Sequence, residues 1–311
     1  MRHSRTTAHQ DPRSLDRLDA VLSKVVDDGK LLTIQPGGNH GDSLIYFGFD
    51  KLLGTTDIDR VRLSSGRVRF DATRAAPSLN PAESVRWAYH QWKYARHRRL
   101  NDIDAIYIHG GGNFNDLWEV GLSCYRTAAR YFDCPIVVGP QSCQFDSTDP
   151  ADVFEQVSNE THFFCRESYS YDIIEAATDR CDHVEVYMDN DTALFLDADD
   201  LPVNASTEEY VLLAMRMDQD SSFPAIERDI PAPSQVNDIS KMKDTFAEWV
   251  KAVARAEHVF TDRLHVAILG YILDKPITWY NTGYHKNRGV YEYSLLNEPG
   301  IEFVIGTETA I

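Results

Sequence analysis

The sequence predicts an α/β fold of mainly parallel sheets covered on both faces by helices, and three observations carry that expectation. Short apolar runs recur at 31–35, 104–109 and 135–139, each halting at a turn that holds Gly or Pro. Amphipathic stretches around 82–98 and 117–132 lie between them. The runs are apolar nearly throughout rather than alternating, as in strands buried on both faces. Repeated strand, loop and helix is what a parallel sheet demands, because parallel neighbours need crossover connections.

The elements follow in order. Residues 14–29 place Leu15, Leu18, Leu22, Val25 and Val26 at helical spacing, and the strand at 31–35 stops at Pro36-Gly37-Gly38. The runs at 162–165 and 184–187 extend the same sheet. From about 197 to 209 the periodicity lapses into Asp-Ala-Asp-Asp-Leu-Pro and Asn-Ala-Ser-Thr, a composition that marks a domain boundary. The expected organisation is a polar N-terminal segment with a leading helix (1–30), an N-terminal α/β domain (31–199) and a smaller C-terminal one (209–311). The latter reads as a strand at 210–215, a polar loop to about 240, a helix near 241–256, a strand at 258–260, a helix near 263–273 and a strand at 276–280. In such sheets ligands bind at the carboxyl ends of the strands, so a cleft between the two domains is the expected site.

Composition narrows the function. The 311 residues are 43% hydrophobic and carry a net charge of -17, from 48 acidic against 31 basic residues. That balance disfavours nucleic acid or an anionic membrane as a bulk electrostatic partner, so an anionic substrate must be captured locally. Asp outnumbers Glu roughly two to one, a bias suited to high salt, where charge is screened; an ordinary acidic enzyme is the alternative. Five cysteines without C-x-x-C spacing read as reduced core thiols. The segment 1–13 lacks the apolar stretch of a signal peptide, and no run approaches a membrane span, which places the protein in the cytoplasm. Asp-x-Asp occurs at 57/59, 102/104, 189/191, 197/199 and 218/220; with Asp this frequent, roughly three matches arise by chance, and neither metal nor cofactor is expected.

Five strand-end segments carry the candidate chemistry. In Gly38-Asn39-His40-Gly41-Asp42 the glycines admit a ligand to the backbone, and Asp42 or Ser43 caps the next helix. The segment matches neither a phosphate-binding P-loop nor a dinucleotide fingerprint. His109-Gly110-Gly111-Gly112-Asn113 sets three glycines in a row, which suits close backbone approach to a ligand. Gly139-Pro140-Gln141-Ser142 is a cleft wall or a strand stop. Arg166-Glu167 is a site pair or a salt bridge with a helix cap. In Thr261-Asp262-Arg263-Leu264-His265, Thr261 or Asp262 is the expected helix cap. Arg263 and His265 then fall in the first turn, where an anion is favoured and His can pass a proton. Arg216, followed by Asp218, and Lys286-Asn287-Arg288 beyond the last strand can face the cleft; for the latter a solvated loop is the equal alternative.

Taken in chain order, Gly38-Asn-His-Gly-Asp-Ser-Leu-Ile45, Gly110-Gly-Gly-Asn-Phe-x-Asp-Leu-Trp118, Pro140-Gln-Ser142, Arg166-Glu167, Arg216-x-Asp218, Thr261-Asp-Arg-Leu-His265 and Tyr284-x-Lys-Asn287 resemble the ordered motifs of the polysaccharide pyruvyl transferase family. The resemblance implies a glycosyltransferase-B-like pair of Rossmann-like domains, phosphoenolpyruvate as donor and a saccharide as acceptor. It sets the donor against Arg263, Leu264 and His265 with a second arginine, for which Arg216 is preferred to Arg166 because it shares a domain with Arg263. His265 is the candidate general acid, and Asp42, Asp116 and Glu167 are candidate bases. Asn39, Gly41, Gly110, Gly111, Gly112, Asn113, Gln141, Ser142, Lys286 and Asn287 are candidate substrate contacts. A lipid-linked acceptor would bring the protein to the inner face of the membrane. Asn115 stands where many relatives have Gly, and Asp189–Phe195 only partly keeps the usual Asp-Met-Ala-Phe, departures that bear on the acceptor. A nucleotide-sugar glycosyltransferase and a non-catalytic glycan-binding relative are the competing readings.

Overall fold

The computed structural model describes residues 11–27, 29–64, 81–100, 102–116, 120–203, 210–216, 234–236, 239 and 245–305. Within them the strands form two sheets. The first contains β1 (Lys30–Gln35), β2 (Arg60–Ser64), β3 (Ile103–Ile108), β4 (Gly111–Asn115), β5 (Ile136–Gln144), β6 (Thr161–Cys165) and β7 (Val184–Met188). Its order is β2-β1-β3-β5-β6-β7, with β4 paired to β5. The second contains β8 (Val211–Ala214), β9 (Ser234–Val236), β10 (His258–Thr261), β11 (Ile277–Tyr280) and β12 (Ile301–Val304), in the order β12-β11-β10-β8-β9. All the described pairings are parallel. Central strands such as β6 are buried along their whole length, as a sheet covered on both faces requires.

Helices α1 (Asp16–Val25), α2 (His40–Gly54), α3 (Pro81–Leu100), α4 (Val120–Tyr131), α5 (Pro150–Glu155) and α6 (Ser168–Ala177) accompany the first sheet. Helices α7 (Phe246–Ala254), α8 (Leu264–Ile272) and α9 (Lys286–Val290) accompany the second, and a π-helical turn, Tyr291–Leu295, follows α9. Helix α2 joins the two units. Its Phe49, Leu52 and Leu53 pack in the cluster that α1 completes over the first sheet. Its Leu44 and Ile45 join the cluster of Trp249, Val266, Leu269 and Trp279 around the second. Hydrophobic burial at both ends of one helix therefore holds the strand ends of the two sheets close together.

Several sequence expectations need correcting. The three glycines do not form a loop: β4 starts at Gly111 and continues the line of β3 along β5 after a break at His109 and Gly110. Gly110 passes so close to Pro140 that a Cβ would lie 2.3 Å from the Pro140 carbonyl oxygen. Gly111 adopts φ +134, which excludes most side chains. Gly139-Pro140-Gln141-Ser142 likewise does not end its strand but lies inside β5. Proline is tolerated there because the registers with β4 and β6 shift at this point, so its missing N–H breaks no regular ladder. Residues 286–288 begin α9 rather than a polar loop. Strands β2, β9 and β12 and helices α5 and α6 are short elements that the apolar periodicity did not reveal. Residues 1–10, 117–119, Asp218 with most of the polar loop of 217–240, the start of the expected helix at 241–244, and 306–311 lie outside the described residues.

Candidate active site

The site grows from the carboxyl ends of β1, β6, β7 and β10. At the end of β6, Arg166 is 1% exposed although it is a full-length cation. Its Nη1 donates to Asp191 Oδ2 at 2.6 Å and its Nε donates to Ser142 Oγ at 2.8 Å. A buried charge is stable only when paired and hydrogen-bonded, and Asp191, also 1% exposed, supplies the pairing. Nη2 points towards Gly112, where a Cβ would lie 3.4 Å away.

His265 closes this group from the second sheet. It lies in the first turn of α8, and its Nε2 is 3.4 Å from Asp191 Oδ2 and 3.4 Å from Arg166 Nη1. One ring nitrogen thus faces both an acceptor and a donor. The neutral ring accepts from Arg166 and the protonated ring donates to Asp191, so the imidazole keeps its place in either state. Burial alone would raise the pKa of Asp191, but the hydrogen bond from His265 and the charge of Arg166 outweigh it and hold the carboxyl well below its usual range.

The N-terminus of α2 forms the facing wall. Asn39 is its N-cap: Asn39 Oδ1 accepts from the Gly41 N–H at 2.8 Å, and Asp42 Oδ2 accepts from the Asn39 N–H at 2.7 Å. Asp42 therefore closes a capping box rather than occupying the cap itself. Gly41 lets the helix approach the imidazole, since a Cβ there would fall 2.6 Å from His265 Nδ1. Withdrawal from water raises the pKa of Asp42, against the pull of His265 and Arg166. Its carboxyl is the one in this group held above the ordinary range.

A second carboxylate and histidine pair lies beside the first. Glu167, fully buried, caps α6 through the Ser170 N–H. Its Oε1 is 3.4 Å from His285 Nε2, and the Ser170 hydroxyl bonds to Glu167 and lies 3.3 Å from the same nitrogen. Gly289 of α9 admits this contact, because a Cβ would lie 2.7 Å from Glu167 Cβ. Tyr284, whose pKa is raised first by burial and then by Cys143 and Glu167, has a buried hydroxyl without a protein hydrogen bond. Gln141 Oε1 is also buried and unsatisfied, while its Nε2 donates to the His109 carbonyl. Buried polar atoms are nearly always satisfied, so both atoms have room for a further hydrogen-bond partner.

The structure places the other sequence candidates as follows. Asp116 Oδ2 accepts from the N–H groups of Asp146, Ser147 and Thr148. Burial would raise its pKa, but these bonds lower it strongly, which makes it a loop staple and a poor base. Asn287 is not solvated: it is fully buried and its Nδ2 donates to the carbonyls of Asp262 and Tyr280. Lys286 Nζ sits 5.0 Å from the Tyr284 ring centre. Arg263, not Thr261 or Asp262, is the N-cap of α8; its N–H donates to Thr261 Oγ1, and its carbonyl accepts from Val266 and Ala267. Asp262 Oδ1 instead accepts from the Arg216 N–H and links β8 to β10. Leu264 is buried in the second core. Asn113 stands in β4, its Oδ1 beside Gly121.

The residues missed were Asp191 and His285. Asp191 lies in the Asp189–Phe195 segment that partly keeps a family motif, but as one Asp-x-Asp position among five it carries no sign of a site role. Yet the run Asp189-Asn190-Asp191-Thr192 has no residue more than 1% exposed. Asp189 holds the Leu18 N–H, Asn190 holds Ser14 and Ser294, and Thr192 donates to the Ile45 carbonyl. Four consecutive polar residues after an apolar strand were the available signal.

Two parallel α/β units thus bring a buried cation, a carboxylate and a histidine together at their strand ends. The chain belongs to the polysaccharide pyruvyl transferase family, whose model matches residues 39–284. The match contains Asn39, Asp42, Arg166, Glu167, Asp191 and His265 and ends just before His285. Among solved structures, the fold is shared with an uncharacterised protein of Klebsiella pneumoniae at a TM-score of 0.66 and 20% identity, covering 93% of this chain and 97% of that one. A looser likeness, at a TM-score of 0.34 and 13% identity over 88% of this chain and 92% of the other, is to the Escherichia coli heptosyltransferase WaaC with ADP; it is too loose to bear on the fold. No curated protein sequence matches the chain. All five cysteines are free, and among the described residues no helix is long and apolar enough to cross a membrane.

Proposed function

We propose that the protein transfers the pyruvyl group of phosphoenolpyruvate to a hydroxyl pair of a saccharide, forming a cyclic ketal in glycan biosynthesis. The contact of His265 with both Arg166 and Asp191, inside the family match, carries this reading. Phosphoenolpyruvate brings a carboxylate and a phosphate, and Arg166 with Arg263 at the start of α8 supplies cationic groups against a net charge of -17.

Protonated His265 delivers its proton to the donor's methylene carbon, which becomes a methyl group and leaves an oxocarbenium-like centre at the neighbouring carbon. A sugar hydroxyl attacks that centre and gives its proton to a base. Phosphate then leaves with the C–O bonding pair, and a second hydroxyl closes the ketal. The two hydroxyl protons restore His265 and protonate the departing phosphate, so the balance closes. Asp42 is the base that fits: it lies beside His265 and its raised pKa strengthens it as a proton acceptor. Glu167 is sealed behind Ser170 and reaches the cleft through His285.

Calorimetric titration of phosphoenolpyruvate into the protein and an Arg263→Ala variant is the first test. Saturable binding weakened in the variant supports the donor site. A folded protein that ignores phosphoenolpyruvate and binds a nucleotide sugar would overturn the reading.

A further inference from the structure

We propose that the outer face of α3 docks on an anionic lipid surface. Its sequence, PAESVRWAYHQWKYARHRRL, holds five Lys and Arg residues against one Glu, in a chain whose net charge is -17. On one side of the helix, at helical spacing, Val85, Tyr89 and Trp92 are 70%, 55% and 55% exposed. Arg96, one turn further, is exposed too, with its guanidinium 5.5 Å from the Trp92 ring centre. The Tyr89 and Trp92 ring centres lie 6.1 Å apart. Among the described residues these are three of the six large hydrophobic side chains left exposed.

The opposite side is seated in the protein. Tyr94 is 5% exposed and its ring stacks on Tyr131 of α4 with centres 5.6 Å apart. Val85 and Trp92 lie on the side of the helix away from that contact, and large apolar side chains exposed to water are unfavourable.

Charge selects the occupant. A two-fold pair of copies would set this basic helix against itself and meet like-charge repulsion at close range. An anionic bilayer offers what the face displays a need for: headgroups for Arg96, and an interfacial layer where Trp and Tyr rings settle with an aliphatic residue beneath them. The overall acidity does not forbid this, because at physiological salt charges beyond about 8–10 Å are largely screened and the local basic helix dominates. The proposal stands apart from the pyruvyl transfer reading; if both hold, a lipid-linked acceptor is met at the surface where it resides.

The test is co-sedimentation of the purified full chain with vesicles of phosphatidylcholine alone and of phosphatidylcholine with about one third phosphatidylglycerol. We expect salt-sensitive binding to the anionic vesicles. The double variant Tyr89→Ser/Trp92→Ser and the single variant Arg96→Glu should each lower the partition coefficient about tenfold. Thermal unfolding establishes that the variants are folded, and Val85→Ser is the milder second variant should the double one fail. Absence of binding by the folded wild-type chain overturns the proposal, as does binding that these variants leave unchanged. A concentration-dependent dimer that Tyr89→Ser/Trp92→Ser dissolves, with no vesicle binding, would assign the face to self-association and overturn it equally.

Discussion

Asp191 Oδ2 lies 3.4 Å from His265 Nε2, so a carboxylate at the end of the first sheet holds a histidine that opens a helix of the second. The same oxygen takes a 2.6 Å hydrogen bond from Arg166, and one atom thereby orders the cation and the proton donor together.

Asp191→Asn should lower stability by about 3–5 kcal/mol, because it leaves Arg166 as an uncompensated buried charge. The folded-state pKa of Asp191 is depressed, so its contribution is fully present above the ordinary Asp pKa and is lost as pH falls through the folded value. Urea unfolding at a series of pH values should show the largest gap between wild type and variant near neutrality, narrowing below about pH 4.

His265→Ala should reduce turnover on the order of 10²–10⁴-fold while the fold is retained, as expected when a placed acid is removed. Phosphate release measured with phosphoenolpyruvate and a glycan acceptor, alongside circular dichroism, checks both halves. Wild-type turnover in a folded variant would exclude His265 as the acid.

Two glycines of α2 should answer differently to the same change. Gly41→Ala places a Cβ 2.6 Å from His265 Nδ1 and must displace the ring or the helix start, so turnover should fall sharply. Gly54→Ala meets nothing within 4 Å and should leave turnover unchanged while adding roughly 0.5–1 kcal/mol of stability. Steady-state rates and melting curves of the pair separate placement of the imidazole from general helix effects.

His109, packed against the rings of Tyr107, Phe49 and Tyr46, is a core residue. Burial first, and then Arg60 and Arg62, lower its pKa from 6.5 to about 3. The folded state thus refuses a proton that the unfolded chain accepts, and stability falls as pH drops below 6.5 until about 3. His109→Gln should make that slope shallower by about 1.4 kcal/mol per pH unit. Unchanged slopes would show that the site opens to water.

The α/β class, the strands that end in functional segments and the family were legible because each is written in consecutive residues. Apolar runs, glycine triplets and the Arg-Leu-His step need no partner to be read. His265 and Asp42 can be named as candidates for the same reason. The partnerships were not. Arg166 and His265 are 99 residues apart, and the preference for Arg216 as the second donor arginine is an argument from chain order that says nothing of this contact. Which arginine meets His265, which of many aspartates holds both, and that Asp116 and Asn287 fasten loops were decided only when α2 packed into the cores of both sheets. Packing brings strand ends together by burying apolar surface wherever it lies in the chain, and polar side chains must then satisfy one another at whatever distance in sequence they meet.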